Sequence, residues 1–414
     1  MQAEYITESI ESASVRVETT AIESITLRRL HLPLKFVFRT AKATVQHREV
    51  LVVQVKSQDE FVGYGECVAF TNPFYTTETI DLAWAALKDY YIPYVLNHQN
   101  LRAKELIEQW DSNRFSLYQF VETEIDSPVG ASLDSPMAIS SLENALLHIE
   151  CQRKGVNTVS HIMKRPLMDT IPSGVVIGDI PIDQLVDAVQ QHVNQGCKRI
   201  KLKVTPTDGV ERASLVRHAF PDLPLAVDGN GSFPFSDLDV VAKFDELNLC
   251  CLEEIFHMDS LMNYGKTVKA LKEENSWPIK TSICLDESVL TVRDLQFAIA
   301  HHCVDVLNIK IGRFGGLYHT KSMMDLCDDH GIGYWIGSMV ESSISKMMHV
   351  QLAAFGNMFM LGDLSDSVRY FERDLTQPDL TFTNGIMTVP NGPGLGVIID
   401  ESLVHEYTVE SLVF

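Results

Sequence analysis

Five charged residues recur along the middle of the chain, each closing a short apolar run. They are Lys203 in Arg199-Ile-Lys-Leu-Lys203, Asp228 in Leu225-Ala-Val-Asp228, Glu253 in Cys251-Leu-Glu253, Asp286 in Ile283-Cys-Leu-Asp286 and Lys310 in Leu307-Asn-Ile-Lys310. Three carboxylates brought together repel one another unless a divalent cation neutralises them. An all-oxygen donor set selects a hard ion, which makes Mg²⁺ the expected metal and Mn²⁺ its substitute. Lysines on either side of a cation-bound acid could then move a proton on the neighbouring carbon. A free lysine, with a pKa of roughly 10.4, is protonated at neutrality and must come down to about 7 to 8 to act as a base. Lys201 lies two positions before Lys203, on the same side of an extended strand, so its like charge is expected to lower the proton affinity of Lys203. A single charge of this kind is commonly a surface ion pair; five in phase are not.

The phase points to the elements that must carry these residues. From Lys203 to Asp228 is 25 positions, to Glu253 another 25, to Asp286 33 and to Lys310 24, the length of one strand plus one helix in a parallel βα repeat. The period extends upstream to Ser173-Gly-Val-Val-Ile-Gly178 and downstream to Tyr334-Trp-Ile-Gly337 and Met358-Phe-Met-Leu-Gly362, giving eight strand candidates. Helical spacing lies between them, as at Ile182, Leu185, Val186, Val189 and Val193. Eight parallel βα units imply an α/β fold closed into a barrel, with the active site at the C-terminal strand ends. In such a ring Lys203 and Lys310, four strands apart, face one another, and the three acids end the strands between them.

Lys201-Leu-Lys203, Asp228-Gly-Asn230, Glu253, Leu285-Asp286-Glu287-Ser288 and Asn308-Ile-Lys310 resemble the second-strand Lys-x-Lys, the three metal-ligand strands and the sixth-strand lysine of the muconate lactonizing enzyme group of the enolase superfamily. Within that group, Lys310-Ile-Gly-Arg-Phe-Gly-Gly316, Ile336-Gly-Ser-Met-Val-Glu341 and Gly362-Asp-Leu-Ser365 followed by Arg369-Tyr-Phe371 look most like the o-succinylbenzoate synthase / N-succinylamino acid racemase family. The resemblance implies a TIM-type (β/α) barrel with an α+β N-terminal capping domain, dependence on Mg²⁺ and a small-molecule carboxylate substrate; a homo-oligomer is expected. Asp228, Glu253 and Asp286 would hold the metal, with Asn230 and Glu287 orienting them. Lys203 would transfer the proton, tuned by Lys201. Lys310 would be a fixed cation or a second base, with Arg313 either lowering its proton affinity or lying in a surface ion pair. Gly337, Ser338 and Met339 match the segment whose backbone N–H groups bind the succinyl carboxylate, and Glu341, Asp363 and Ser365 fall near the same rim. Two capping loops, Phe38 to His47 (with Arg39) and Ala69 to Tyr75 (with Phe70), would close over the substrate and set side-chain preference.

Two reactions use such residues equally. In one, Lys203 takes the α-proton and returns it to a departing hydroxyl, giving o-succinylbenzoate from its cyclohexadiene precursor, as in menaquinone biosynthesis. In the other, Lys203 and Lys310 act as opposed bases and racemise an N-succinylamino acid. Dipeptide epimerases share the lysines and metal but carry Asp-x-Asp where this chain has Asp363-Leu-Ser365. Muconate cycloisomerisation and a non-catalytic metal-binding scaffold are further alternatives. One departure from the pattern stands beside the expected ligand: Glu253-Glu254-Ile255 replaces Glu-Gln-Pro, so Glu254 adds a charge that could compete for the ion.

The rest of the chain sets bounds. Net charge is −21, from 55 acidic and 34 basic residues, which argues against nucleic acid and anionic membranes as partners. No apolar run approaches the ~20 residues of a membrane span, and the N-terminus lacks the basic and apolar regions of a signal peptide. The eight scattered cysteines read as buried small hydrophobes in a reducing compartment, so a cytoplasmic protein is expected. Residues 1–20 read as a flexible extension. Residues 21–137 read as the capping domain, with 385–414 packing back on it, and 138–384 as the barrel; within the cap, 111–135 resembles an insertion or mobile linker.

Overall fold

The computed structural model describes residues 21–39, 44–98, 101–111, 135–257, 265–266, 268–269, 279–356 and 358–414. The proposed extension over 1–20 and all but the ends of the 111–135 stretch lie outside the described residues.

The cap begins with three antiparallel strands, β1 (Ile22–Arg39), β2 (Thr44–Ser57) and β3 (Val62–Cys67). The β-branched run Val50-Leu-Val-Val-Gln-Val55 places β2 in the middle, where Val50 to Val53 and Val55 are buried on both faces. The expected loop from Phe38 to His47 is largely strand: Phe38 pairs with Val45 and Arg39 with Thr44, so β1 and β2 project as a ribbon. The side chains of Phe38 and Arg39 lie outside the described residues.

The helix Pro136–Lys154 lies along the sheet. Gly63 and Gly65 make the approach possible, because a Cβ at Gly65 would fall 1.9 Å from the Ser141 carbonyl oxygen.

Seven parallel strands follow: β4 (Gly174–Ile177), β5 (Arg199–Lys203), β6 (Leu225–Asp228), β7 (Cys251–Glu253), β8 (Ser282–Leu285), β9 (Val306–Ile309) and β10 (Gly333–Ile336). They hydrogen-bond in sequence order, and the sheet curls into a barrel with helices outside. The helix Ile182–Asn194 buries Leu185 and Val189 from its apolar stripe. Eight strands were expected; the eighth place is taken instead by irregular chain from Met358 to Asp363. It bonds to β10 through Phe359 N–H to the Tyr334 carbonyl and Asp363 N–H to the Ile336 carbonyl. Its Leu361 carbonyl accepts from the Arg199 guanidinium at 2.7 and 2.9 Å, so a side chain occupies an acceptor that a ladder would have used. At the end of the chain β11 (Thr408–Val413) returns to pair with β1. We propose dividing the chain into a cap over 21–137 with 385–414 and a barrel over 138–384; the helix at the boundary touches both.

Buried glutamates join the pieces at helix N-termini, where unpaired backbone N–H groups and the helix dipole favour a carboxylate. Glu78 accepts from Met137 and Ala138 at the start of Pro136–Lys154. Glu143 accepts from Leu317 and Tyr318 at the start of Leu317–His330. Glu66 on β3 accepts from Ser342 N–H, Ser342 Oγ and Ser345 N–H at the start of Ser343–Ala353. All eight cysteines are free thiols, and among the described residues no helix is long and apolar enough to cross a membrane.

Two outcomes test these contacts. Gly65→Ala should lower stability by about 1 to 3 kcal/mol through overpacking against Ser141, read as a lower urea midpoint; an unchanged midpoint would mean the helix does not press on β3. Burial raises the Glu66 carboxyl to about 7, against its donors and an ordinary value of 4.5. The folded chain therefore holds that proton more tightly than the unfolded chain. The stability it contributes is complete below the unfolded value and drains away as pH rises towards about 7. Wild type should lose stability over that window relative to Glu66→Gln, and parallel profiles for the two proteins would refute the assignment.

Candidate active site

The register of the sheet sets the charged residues side by side. Lys203 pairs with Asp228 across β5 and β6, and Asp228 with Glu253 across β6 and β7. Asp286 and Lys310 follow directly on β8 and β9. All lie at the C-terminal strand ends, and all three acids are buried.

Each candidate metal ligand is drawn to a cation. Lys203 Nζ donates to Asp228 Oδ2 at 2.5 Å. Lys201 Nζ sits 2.7 Å from Glu253 Oε2, 2.6 Å from Asp363 Oδ2 and 3.3 Å from Asp228 Oδ2. Lys310 Nζ donates to Asp286 Oδ2 at 2.8 Å, and Arg313 binds Asp286 Oδ1. Burial opposes the charge on Asp286, but Lys310 and Arg313 outweigh it and hold the carboxyl well below its usual range. Burial likewise opposes ionisation of Asp228, and Lys203 and Lys201 reverse the effect. Lys201 is desolvated too, yet Asp363, Glu253 and Asp228 raise it well above the ordinary lysine value. Its charge, expected to press on Lys203, is matched by three carboxylates. Arg313 is buried against Asp286 and is no surface ion pair.

Among the described residues no three acidic, histidine or cysteine side chains are gathered so as to hold an ion. Each of the three acids leans on a lysine or arginine, with Asp228 and Glu253 sharing Lys201. The chemistry of the donors still fits a hard divalent cation. Glu253 is pushed up by burial and by the neighbouring charges of Asp228 and Asp286, and Glu287 reaches about 7 by burial and the same two neighbours. A cation would relieve that repulsion. Asn230 Oδ1, Asn308 Oδ1 and Glu287 Oε2 are buried oxygens without a hydrogen-bond partner among the described residues, which is costly unless something takes them up.

Glu254 is bonded within the loop that carries Asp286. Its Oε2 accepts from Asp286 N–H at 2.8 Å and Ser288 Oγ at 2.9 Å, shaping the loop that carries Asp286. Burial and the Glu287 charge raise it to about 8. Its φ of 35° and that of Asn230 at 45° lie in the left-handed region, a strain common at functional sites. Asn230 bridges the loops: its N–H donates to Asp228 Oδ1 and its Nδ2 to Glu287 Oε1, both at 2.9 Å.

An open cleft lies above these groups. Lys201, Lys203, Asn230 and Asp363 form its polar side; Phe70, Phe74 and Tyr75 from the cap, and Ser338, Met339 and Val340 after β10, face it. Val340 is β-branched yet has φ 57°. The backbone donors expected for a substrate carboxylate are mostly occupied: Gly337 N–H bonds to the Ile309 carbonyl and Met339 N–H to Glu341. Gly337 lacks a Cβ for a different reason, since one would stand 2.2 Å from Asn308 Oδ1 and 2.6 Å from Lys310 Cε. Glu341, expected at the rim, is buried behind this loop. Burial disfavours its charge, but His349 holds it at about 2. Asp363 is tied to Arg199 and Lys201, and Ser365 is buried.

Three contributors were not singled out from sequence. Asn308 Nδ2 donates to Glu253 Oε1 at 2.8 Å; lying two residues before Lys310, it shares that strand face and was findable. Arg48 holds the cap loop through the Val68, Ala69 and Val340 carbonyls. Tyr75 reaches Asp286 and Arg313 across 211 and 238 positions, a separation that leaves no local signal.

A curled parallel sheet bearing acids and lysines at its C-terminal ends, under an antiparallel cap closed by the chain's own C-terminus, defines the enolase superfamily. Residues 184–403 match the family model described as enolase C-terminal domain-like. The chain is 32% identical to the o-succinylbenzoate synthase of Bacillus subtilis (strain 168), over 95% of this chain and 98% of that protein. It is 31% identical to the N-succinylamino acid racemase of Amycolatopsis sp, over 94% and 98%. An enolase-superfamily crystal structure from Listeria innocua Clip11262 superposes with a TM-score of 0.84 at 25% identity, covering 95% of this chain and 99% of that one. The chain belongs to the o-succinylbenzoate synthase / N-succinylamino acid racemase family.

Asp363→Asn should destabilise the fold by about 3 to 5 kcal/mol, because it leaves Lys201 and Arg199 short of a buried counter-charge. Urea unfolding measures this, and a loss under about 1 kcal/mol would show the network to be redundant.

Proposed function

We propose that the chain is a Mg²⁺-dependent o-succinylbenzoate synthase, dehydrating 2-succinyl-6-hydroxy-2,4-cyclohexadiene-1-carboxylate. The observation that carries this reading is that Lys203 lines the cleft whereas Lys310 does not, so one base faces the substrate. A syn elimination needs one base. Lys203 as the free amine takes the proton from the carbon bearing the carboxylate and then, as ammonium, delivers it to the hydroxyl leaving the same face as water, so the ring becomes aromatic. Lys310, fixed beside Asp286 and behind Tyr75, adds positive charge on that side of the site without touching the substrate. Asp228, Glu253 and Asp286, with Asn230 and Glu287 orienting them, would hold the metal, Mg²⁺ or Mn²⁺, which supplies further fixed charge beside the substrate carboxylate. Phe70, Phe74 and Tyr75 exclude water from above, and Ser338 is the polar group of the cleft wall placed for the succinyl end.

A second reading, N-succinylamino acid racemase, is favoured by the placement of Lys310 on the strand four places from Lys203, at the same end of the barrel. Dehydration of the cyclohexadiene acid, run beside α-hydrogen exchange of N-succinylamino acids in D₂O, tests both. Dehydration should be present, should disappear with EDTA and return with Mg²⁺, and should fall by about 10² to 10⁴-fold in Lys203→Ala. Exchange without dehydration would overturn the synthase reading in favour of the racemase, and dehydration that survives loss of Lys203 would remove its role as the base.

A further inference from the structure

Tyr75 reaches the active site from the cap, and its hydroxyl is saturated there. It donates to Asp286 Oδ1 at 2.9 Å and accepts from Lys310 Nζ at 3.0 Å and Arg313 Nη1 at 3.2 Å, which fills the one donor and two acceptor positions of a phenol. The ring covers the amine as well, with Lys310 Nζ 4.5 Å from its centroid. Tyr75 is thus the surface that the cleft meets where Lys310 would otherwise stand.

The segment is held firmly. Phe70 packs against Phe74 with the rings tilted and 4.6 Å apart, and meets Tyr75 edge-on at 6.1 Å. The Arg48 guanidinium lies 4.3 Å over Phe70 and bonds the Ala69 carbonyl at 2.7 Å. Residues 71–73 between these anchors are exposed.

We propose that Tyr75 selects between one-lysine and two-lysine proton chemistry by shutting Lys310 off from the cleft. With Tyr75 seated, the α-proton can leave and return only through Lys203, on one face, and the outcome is elimination or exchange without inversion. With Tyr75 withdrawn, Lys203 amine takes the α-proton and becomes ammonium, and Lys310 ammonium gives its own proton to the opposite face and becomes amine. The product is the inverted centre, and exchange with solvent restores the two lysines. The partition between reactions rests on the function proposed above; the covering of Lys310 does not.

The test separates the two. Metal-free protein is treated with acetic anhydride, and acetylation of Lys310 and Lys203 is followed by peptide mass spectrometry, with circular dichroism confirming folding. In wild type Lys203 should react well ahead of Lys310. Tyr75→Phe should speed Lys310 by about fivefold and Tyr75→Ala by about tenfold, as expected for losing a hydrogen bond and then the ring as well, with Lys203 unchanged. The Phe variant keeps the shape of the loop and carries the test if Ala does not fold. Equal reactivity of the two lysines in wild type, or no acceleration of Lys310 in either variant, overturns the proposal. In the Mg²⁺-loaded proteins the ratio of inversion to dehydration should rise in step with Lys310 labelling; a ratio that stays flat while labelling rises overturns the selection. Labelling that responds in a protein silent towards both substrates supports the cover and overturns the proposed function instead.

Discussion

Charge compensation away from water is the constraint on which the mouth of this barrel depends. Lys201, Lys203, Lys310, Arg199 and Arg313 face Asp228, Glu253, Asp286 and Asp363, and all but Lys203 are buried. Two unit charges 4 Å apart interact with about 4 kcal/mol at an effective dielectric constant near 20, so none of these groups is tolerated alone. The same mutual dependence makes the site responsive. A new cation among the acids, or a new anion before the lysines, must redistribute every pairing at once, and that redistribution is where binding can be coupled to chemistry.

The cap takes part in this balance. Glu66 reaches from β3 to the helix that follows Glu341, Arg48 ties the cap loop to the Val340 carbonyl, and Tyr75 bonds three groups of the barrel. Each contact crosses more than two hundred positions of sequence. The C-terminal strand β11 closes the arrangement by pairing with β1, so chain from beyond the barrel completes the cap sheet. A cap fastened through the active-site residues themselves senses their state directly.

The barrel itself was legible because βα repeats write their period locally: an apolar run, a charge, then a helical stripe about every 25 positions. The neighbouring placement of Lys203, Asp228 and Glu253 follows from that period and the register of parallel strands. The eighth strand was not legible. Met358-Phe-Met-Leu-Gly362 has the composition of a strand, but the Arg199 side chain takes the Leu361 carbonyl that a ladder would bond. The partners of the Gly337 and Met339 N–H groups were not legible either, because a motif shows that such groups exist, not which acceptors hold them.

By itself the sequence determined the repeat, the strand-end positions of the five charged residues and the family to which they belong, because each depends on spacing within a few tens of residues. Only the tertiary structure decided which charge answers which, that Arg313 lies against Asp286, that Glu254 turns into a loop, and that Tyr75 covers Lys310. Those pairings are made across strands and between domains. Their energies depend on burial and on the distance between partners, quantities that no linear pattern contains.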